Sequence, residues 1–252
     1  MTSDQYLVNI LAREAVNGGP GSPVLAVQDA LLPILREWGG TYMQNVHPSG
    51  SFAKGTANRS GTDIDLFVSI AENVPNTMKE IYDTLFNKMN EKGYAPKRQN
   101  VSININVGGY CVDLVPGKRH NSFSRDHSLY RRRANTWTKT NVVTHIAHVA
   151  RSGRIDDIRV LKLWRNQKGV DFPSFYLELT VIDALTGSFG TLSQRVWTVF
   201  QYLRDRFPTA RVIDPANTNN VISDDLDDTE RGRISSAAVS ALAATNWNQI
   251  VV

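Results

Sequence analysis

Cysteine is almost missing from this chain. Cys111 is the single one in 252 residues, so no internal disulfide can form and a zinc site built on paired cysteines is excluded. Long apolar runs are missing as well. No stretch approaches the roughly 20 residues that cross a bilayer, and Met1–Leu11 lacks the basic flank and apolar core of a secretory signal. Acidic residues are sparse in one region: from Lys118 to Lys168 thirteen Lys and Arg face three Asp, in a chain whose net charge is only +4. These absences point to a cytoplasmic protein with no membrane partner. The basic block suits polyphosphate or nucleic acid, with a solvated helical face as the alternative.

With 41% hydrophobic residues the chain can bury a core, and its length suits two lobes around a cleft. The first half reads as mixed. Apolar residues at helical spacing mark Val24–Trp38, which carries Pro33 and stops at Gly39-Gly40. A short strand over Tyr42–Val46, a tight turn at Gly50-Ser51, a strand over Asp63–Ile70 and a helix over Thr77–Lys92 follow. Val101–Val107 and Tyr110–Val115 form a hairpin joined by Gly108-Gly109. Beyond Pro116 the pattern turns helical: Asn141–Ser152, Ile155–Gln167, Ser174–Leu185, Ser193–Phe207 and Asp228–Asn246. The expected fold class is α+β, a mixed sheet with flanking helices over residues 1–125 and a helical lobe over 126–252.

Asp63 and Asp65 carry the chemistry. Two residues apart on a strand, they project from one face while Ile64 and Leu66 enter the core. Adjacent carboxylates repel each other, and a hard divalent cation between them, Mg²⁺ or Mn²⁺, reverses that cost. Asp113 lies between apolar neighbours in Tyr110–Val115, where a charge is expensive unless paired or ligated. Three carboxylates around two metals suit in-line attack on an α-phosphate. The pyrophosphate would then leave toward Gly50-Ser51, whose backbone amides and hydroxyl can hold phosphate.

Singly, each of these elements is common. Together, a Gly-Ser element, an eleven-residue gap, two aspartates on a strand, a helix and an apolar strand with one aspartate resemble the polymerase-β nucleotidyltransferase superfamily. Within it, Val112-Asp113-Leu114-Val115-Pro116, Pro173-Ser174-Phe175-Tyr176 and Ile213-Asp214-Pro215-Ala216-Asn217 are similar to the branch of oligoadenylate synthases, cyclic GMP-AMP synthase and their bacterial defence relatives. A narrower similarity is to small Hailong-type enzymes that make single-stranded DNA oligomers. The resemblance implies a nucleotidyltransferase core with a C-terminal helical lobe, and a metal-dependent enzyme using an NTP or dNTP. Asp63, Asp65 and Asp113 would be the catalytic metal ligands. Gly50 and Ser51 would hold the triphosphate, with Lys162 and Ser174 on its phosphates and Phe175 stacking on the base. Lys162 also fits an exposed helix face, Ser174 a helix N-cap after Pro173, and Phe175 a place in the core. Trp137, Trp164, Trp197 and Trp247 read as lobe core.

The implied reaction is template-independent transfer to a hydroxyl. It would make a nucleotide oligomer or cyclic nucleotide that a downstream effector protein senses in anti-phage defence, with single-stranded oligonucleotide as product or acceptor. Extension of tRNA 3′ ends, as in CCA-adding enzymes, and transfer to a small-molecule or protein hydroxyl keep the same carboxylates. A catalytically silent nucleic-acid scaffold would not need all three.

Overall fold

The computed structural model describes residues 1–61 and 63–252. In chain order its elements are helices α1 (Ser3–Arg13) and α2 (Pro23–Gly39), strand β1 (Met43–Pro48), the short helix α3 (Gly50–Lys54), strand β2 (Ile64–Ile70) and helix α4 (Met78–Glu91). Five strands follow: β3 (Lys97–Arg98), β4 (Ile103–Val107), β5 (Tyr110–Arg119), β6 (His127–Arg131) and β7 (Thr136–Thr140). The remainder comprises helices α5 (Val142–Ala150), α6 (Ile155–Gln167), α7 (Ser174–Ala184) and α8 (Leu192–Asp205), the strand pair β8 (Ile213–Asp214) and β9 (Asn217–Val221), and helix α9 (Asp228–Leu242).

The chain divides into two compact units. A sheet unit comprises Asn17–Gly55 and Thr62–Ile146, and a helical unit comprises Met1–Val16, Thr56–Gly61 and Ala147–Val252. The division therefore falls within α5, about twenty residues after the boundary expected near 125, and α1 belongs to the second unit.

In the sheet unit the strand order is β1-β2-β5-β4-β3, with β6 beside β5 and β7 beside β6. β2 and β5 are parallel, while the other neighbours run antiparallel. Alternation decides which face is buried. Ile64, Leu66, Val68 and Ile70 of β2 enter one core with Val112 and Leu114 of β5, Ile103 and Ile105 of β4, and the α2 stripe Val24, Val27, Leu31 and Leu35. α2 starts at Ser22, whose hydroxyl accepts from the Leu25 amide, and runs on through Pro33. α4 opens with a capping box between Thr77 and Glu80 and buries Ile81, Tyr82, Leu85 and Met89.

The other face of β2 carries Asp65, Phe67 and Ser69. Phe67 is buried between the rings of His47 and His127, with centroids 5.5 and 4.9 Å away. His127 Nδ1 lies 2.9 Å from the Arg125 carbonyl and so carries the proton. Its Nε2 is left to accept from the Ser69 hydroxyl at 2.8 Å.

The chain departs from the sequence pattern in three places. β5 does not end before Pro116 but continues to Arg119, and the hairpin β6–β7 follows where no strand was expected. The reason is a change of neighbour: on that side of β5, pairing with β4 stops at Leu114 and pairing with β6 begins at Lys118. A proline, which has no amide hydrogen to donate, fits in the gap. Trp137, on β7, is half exposed rather than core, whereas Trp164 is fully buried. α1, capped by Thr2, buries Leu7, Ile10 and Leu11 among residues from α6 to α9, a partnership no local pattern announces.

Burial lowers the pKa of both His127 and His47, holding them neutral. A histidine whose folded pKa lies below its unfolded value of about 6.5 costs stability once pH falls below that value, because only the unfolded chain accepts the proton. The melting temperature is therefore expected to drop as pH is lowered from 7 to 5. His127→Gln should flatten that drop in a calorimetric pH series, and an unchanged slope would contradict this account.

Candidate active site

The carboxylates are assembled by register. β2 and β5 pair with Asp65 directly opposite Asp113, and β4 pairs with Asn104 opposite Asp113. Three polar side chains thus form a row across three strands spaced about 4.8 Å apart, on the face opposite the apolar core. Asn104 Nδ2 donates to Asp113 Oδ1 at 2.8 Å. Burial pushes the Asp113 carboxyl above its ordinary pKa and the charge of Asp63 pushes it further, while hydrogen bonds from Asn104 and Ser102 pull the other way. Asp63, immediately before β2, is exposed, and Asp65 is half buried.

This donor set fits a hard divalent cation: it is all carboxylate oxygen, and both influences that raise Asp113 are reversed by a positive charge. Among the described residues no three His, Cys, Asp or Glu side chains converge as a complete metal-holding group. The strand register fixes Asp65 and Asp113, and Asp63 reaches Asp113 through its charge.

Gly50 and Ser51 open α3 rather than forming an isolated tight turn. The Ser49 amide donates to the Asp65 carbonyl at 2.8 Å, which ties the start of α3 to β2. Gly50 has φ +55°, and a Cβ there would run into the Asp65 carboxylate. Glycine is required twice over, for its backbone angle and for the close approach.

The remaining candidates stand on the helical unit. Lys162 of α6 is buried, not on an exposed face. Its Nζ lies 2.5 Å from Glu178 Oε1 of α7 and donates to the Thr56 hydroxyl at 2.8 Å, and Thr56 in turn donates to Glu178 at 2.8 Å. One turn earlier on α6, Arg159 Nε donates to Asn58 Oδ1 at 3.1 Å, and Asn58 Nδ2 donates to the Arg159 carbonyl at 2.9 Å. Thr56, Ala57 and Asn58 are buried within this unit, so α6 and α7 grip the segment that joins α3 to Asp63. Ser174 is exposed at the first position of α7, and Pro173, not Ser174, occupies the N-cap. The Ser174 hydroxyl accepts from Arg165 Nη1 at 2.8 Å. Phe175 is half buried beside the core, whereas Tyr176 is fully buried against Phe172 and Phe207.

Glu178 and Thr56 were missed by the sequence analysis, although Glu178 has the signal that marked Asp113: one charge among apolar neighbours, in Tyr176-Leu177-Glu178-Leu179. Asn104 and Ser102 escaped because only the register brings them to Asp113.

Residues 30–133 match the model of a family described as the nucleotidyltransferase domain. This chain is a nucleotidyltransferase. The matched span contains Gly50, Ser51, Asp63, Asp65 and Asp113 and ends before Lys162, Ser174 and Phe175. A cyclic AMP-AMP-AMP synthase of Escherichia coli (strain MS 115-1) is 24% identical to the nucleotidyltransferase, with 71% of this chain and 69% of that protein covered. Among solved structures, E. coli MS115-1 CdnC with ATP superimposes with a TM-score of 0.75 at 20% identity, covering 99% of this chain and 97% of that one. Elizabethkingia meningoseptica CdnE, a cyclic dinucleotide synthase with GTP and Apcpp, gives 0.72 at 15% identity over 98% of each chain. The fold is the expected α+β nucleotidyltransferase core, accompanied by a helical region.

Glu178→Ala would leave the Lys162 ammonium buried without its carboxylate and is expected to destabilise the nucleotidyltransferase by about 3–5 kcal/mol in denaturant titration. Glu178→Gln keeps the shape and one acceptor, and should cost less. Equal stability of both variants and the parent would contradict the burial argument.

Proposed function

We propose that the nucleotidyltransferase moves an NMP or dNMP from a nucleoside triphosphate to the hydroxyl of another nucleotide without a template. The product is a nucleotide oligomer or a cyclic nucleotide, and it acts as a signal in anti-phage defence that a downstream effector senses. The observation that carries this reading is the in-register pair Asp65–Asp113 closed over by Gly50. It is a rigid carboxylate site on the open face of a sheet, with backbone too close to admit any side chain at position 50. The names of the related cyclic nucleotide synthases support the product class.

Asp63 and Asp65 would hold Mg²⁺ or Mn²⁺ for the triphosphate, and Asp113 would share the ion facing the attacking hydroxyl. When bound, the metal supplies charge neutralisation and lowers the pKa of that hydroxyl. Asn104 fixes one Asp113 oxygen, so the other is aimed. The first turn of α3 offers the amides of Gly50 and Ser51, together with the Ser51 hydroxyl, to the leaving phosphates. Ser174, backed by the Arg165 guanidinium, and the half-exposed ring of Phe175 serve phosphate and base. We assign Lys162, committed to Glu178 and Thr56, to holding the Thr56–Gly61 segment in place of direct phosphate contact. Among the described residues no helix is long and apolar enough to cross a membrane, in keeping with a reaction in the cytoplasm.

Purified protein incubated with each NTP and dNTP, alone and mixed, with Mg²⁺ or Mn²⁺, should yield discrete oligomers or cyclic products by mass spectrometry. Asp65→Ala and Asp113→Asn should reduce pyrophosphate release to background while circular dichroism is retained. A mass gain on the protein itself, or activity only with tRNA, would replace the nucleotide acceptor with another hydroxyl. Full activity in Asp113→Asn would sink the assignment of the site.

Gly50→Ala tests the close approach. Activity is expected to fall at least about tenfold, with the melting temperature shifted by only a few degrees, because the strain falls on Asp65 and not on the core.

A further inference from the structure

The carboxylate row is the first of three on the same face of the sheet. The next row is His47–Phe67–Val115 and the one after it is Asn45–Ser69–Gly117, each in register across β1, β2 and β5. Beside them β6 places His127 opposite Arg119. These rows floor a cavity of about 450 Å³ that lies wholly within the sheet unit and has Gln44 and Arg125 at its rim. The volume falls in the range of small-molecule sites, about 300–1,000 Å³.

The lining has a definite chemistry. Phe67 supplies a flat aromatic floor, steadied by His47 and His127, and Gly117 lets the ring lie down, since a Cβ there would strike it. The polar edges are neutral. His127 is fixed as a neutral ring by Arg125 and Ser69, and His47 Nδ1 has no hydrogen-bond partner. Arg125 is exposed at the rim and brings a positive charge, whereas Arg119 is tied to the Ser122 and Ser124 carbonyls. An aromatic floor, neutral donors and acceptors at the edge and one cation at the mouth suit a heteroaromatic base carrying phosphate. Phe67 and Ser69 stand two and four residues beyond Asp65, about 7 and 13 Å at the usual rise of a strand. That is the reach of a nucleoside from its ribose hydroxyls to the far edge of its base.

We propose that this cavity seats the base of the accepting nucleotide, which puts its ribose hydroxyl at the Asp65–Asp113 row, and that Ser69, His127 and Gln44 set base preference. The proposal rests on the transferase reading above and adds the identity of the acceptor and the residues that choose it.

The test uses the full chain and separates binding from turnover. Nucleoside monophosphates, which carry no triphosphate to transfer, are titrated by calorimetry against the parent, Asp65→Ala, and the double variant Arg125→Ala/Gln44→Ala, whose two sites are exposed. Ser69→Ala is titrated alongside. Product ratios from NTP mixtures are measured in parallel for the variants that retain the three aspartates. Expected are retained monophosphate binding in Asp65→Ala, at least about tenfold weaker binding in the double variant, and a changed base ratio in the products of Ser69→Ala. Monophosphate affinities and product ratios unchanged in the pocket variants would overturn the cavity as the acceptor seat. If the variants lose binding but the parent releases no pyrophosphate from any NTP, the acceptor role falls with the transferase reading, and the two failures are told apart by the binding arm alone.

Discussion

Everything the site can do depends on one strand register. β2 and β5 are pinned by four buried aliphatics on β2 and by Val112 and Leu114 on β5. A slip of one residue would send Asp65 and Asp113 into the apolar core and turn Leu66 and Leu114 out to solvent. The hydrophobic face therefore fixes the position of the polar one. Asp113 remains half buried, with its pKa raised, because the cost of placing it there is carried by the packing behind it.

A second constraint runs along the chain. α3 and Asp63 flank six residues, Thr56–Gly61, that belong to the helical unit. The Lys162–Glu178 pair would be an expensive way to gain stability alone, since a buried ion pair roughly breaks even against apolar packing. Closed through the Thr56 hydroxyl, it gains a geometric role in addition: every donor and acceptor has a specified partner, and the segment between the two parts of the candidate site has one defined path.

The strand carrying Asp63 and Asp65, the Gly108-Gly109 hairpin and the isolated Asp113 were legible in the sequence because each follows from a period of two or from a charge in apolar company. Helices α4, α6, α7 and α8 were legible from their 3.6-residue periodicity. What escaped depends on partners distant in the chain. α1 is a short amphipathic segment whose burial comes from helices about 150 residues later. β6 and β7 are polar strands whose reason to pair is the free edge that β5 offers beyond Pro116. Lys162 showed its residue type but not its burial, which depends on Glu178 across the helix pair.

The grip on Thr56–Gly61 also bears on how this molecule fails. Local opening of α6 and α7 would release the segment before the sheet lost any of its own hydrogen bonds, and Asp63 would lose its fixed approach while Asp65 and Asp113 stayed in register. Heat inactivation would then track the weaker of two cooperative blocks. A preparation could keep its β-sheet signature in full and have no working catalyst.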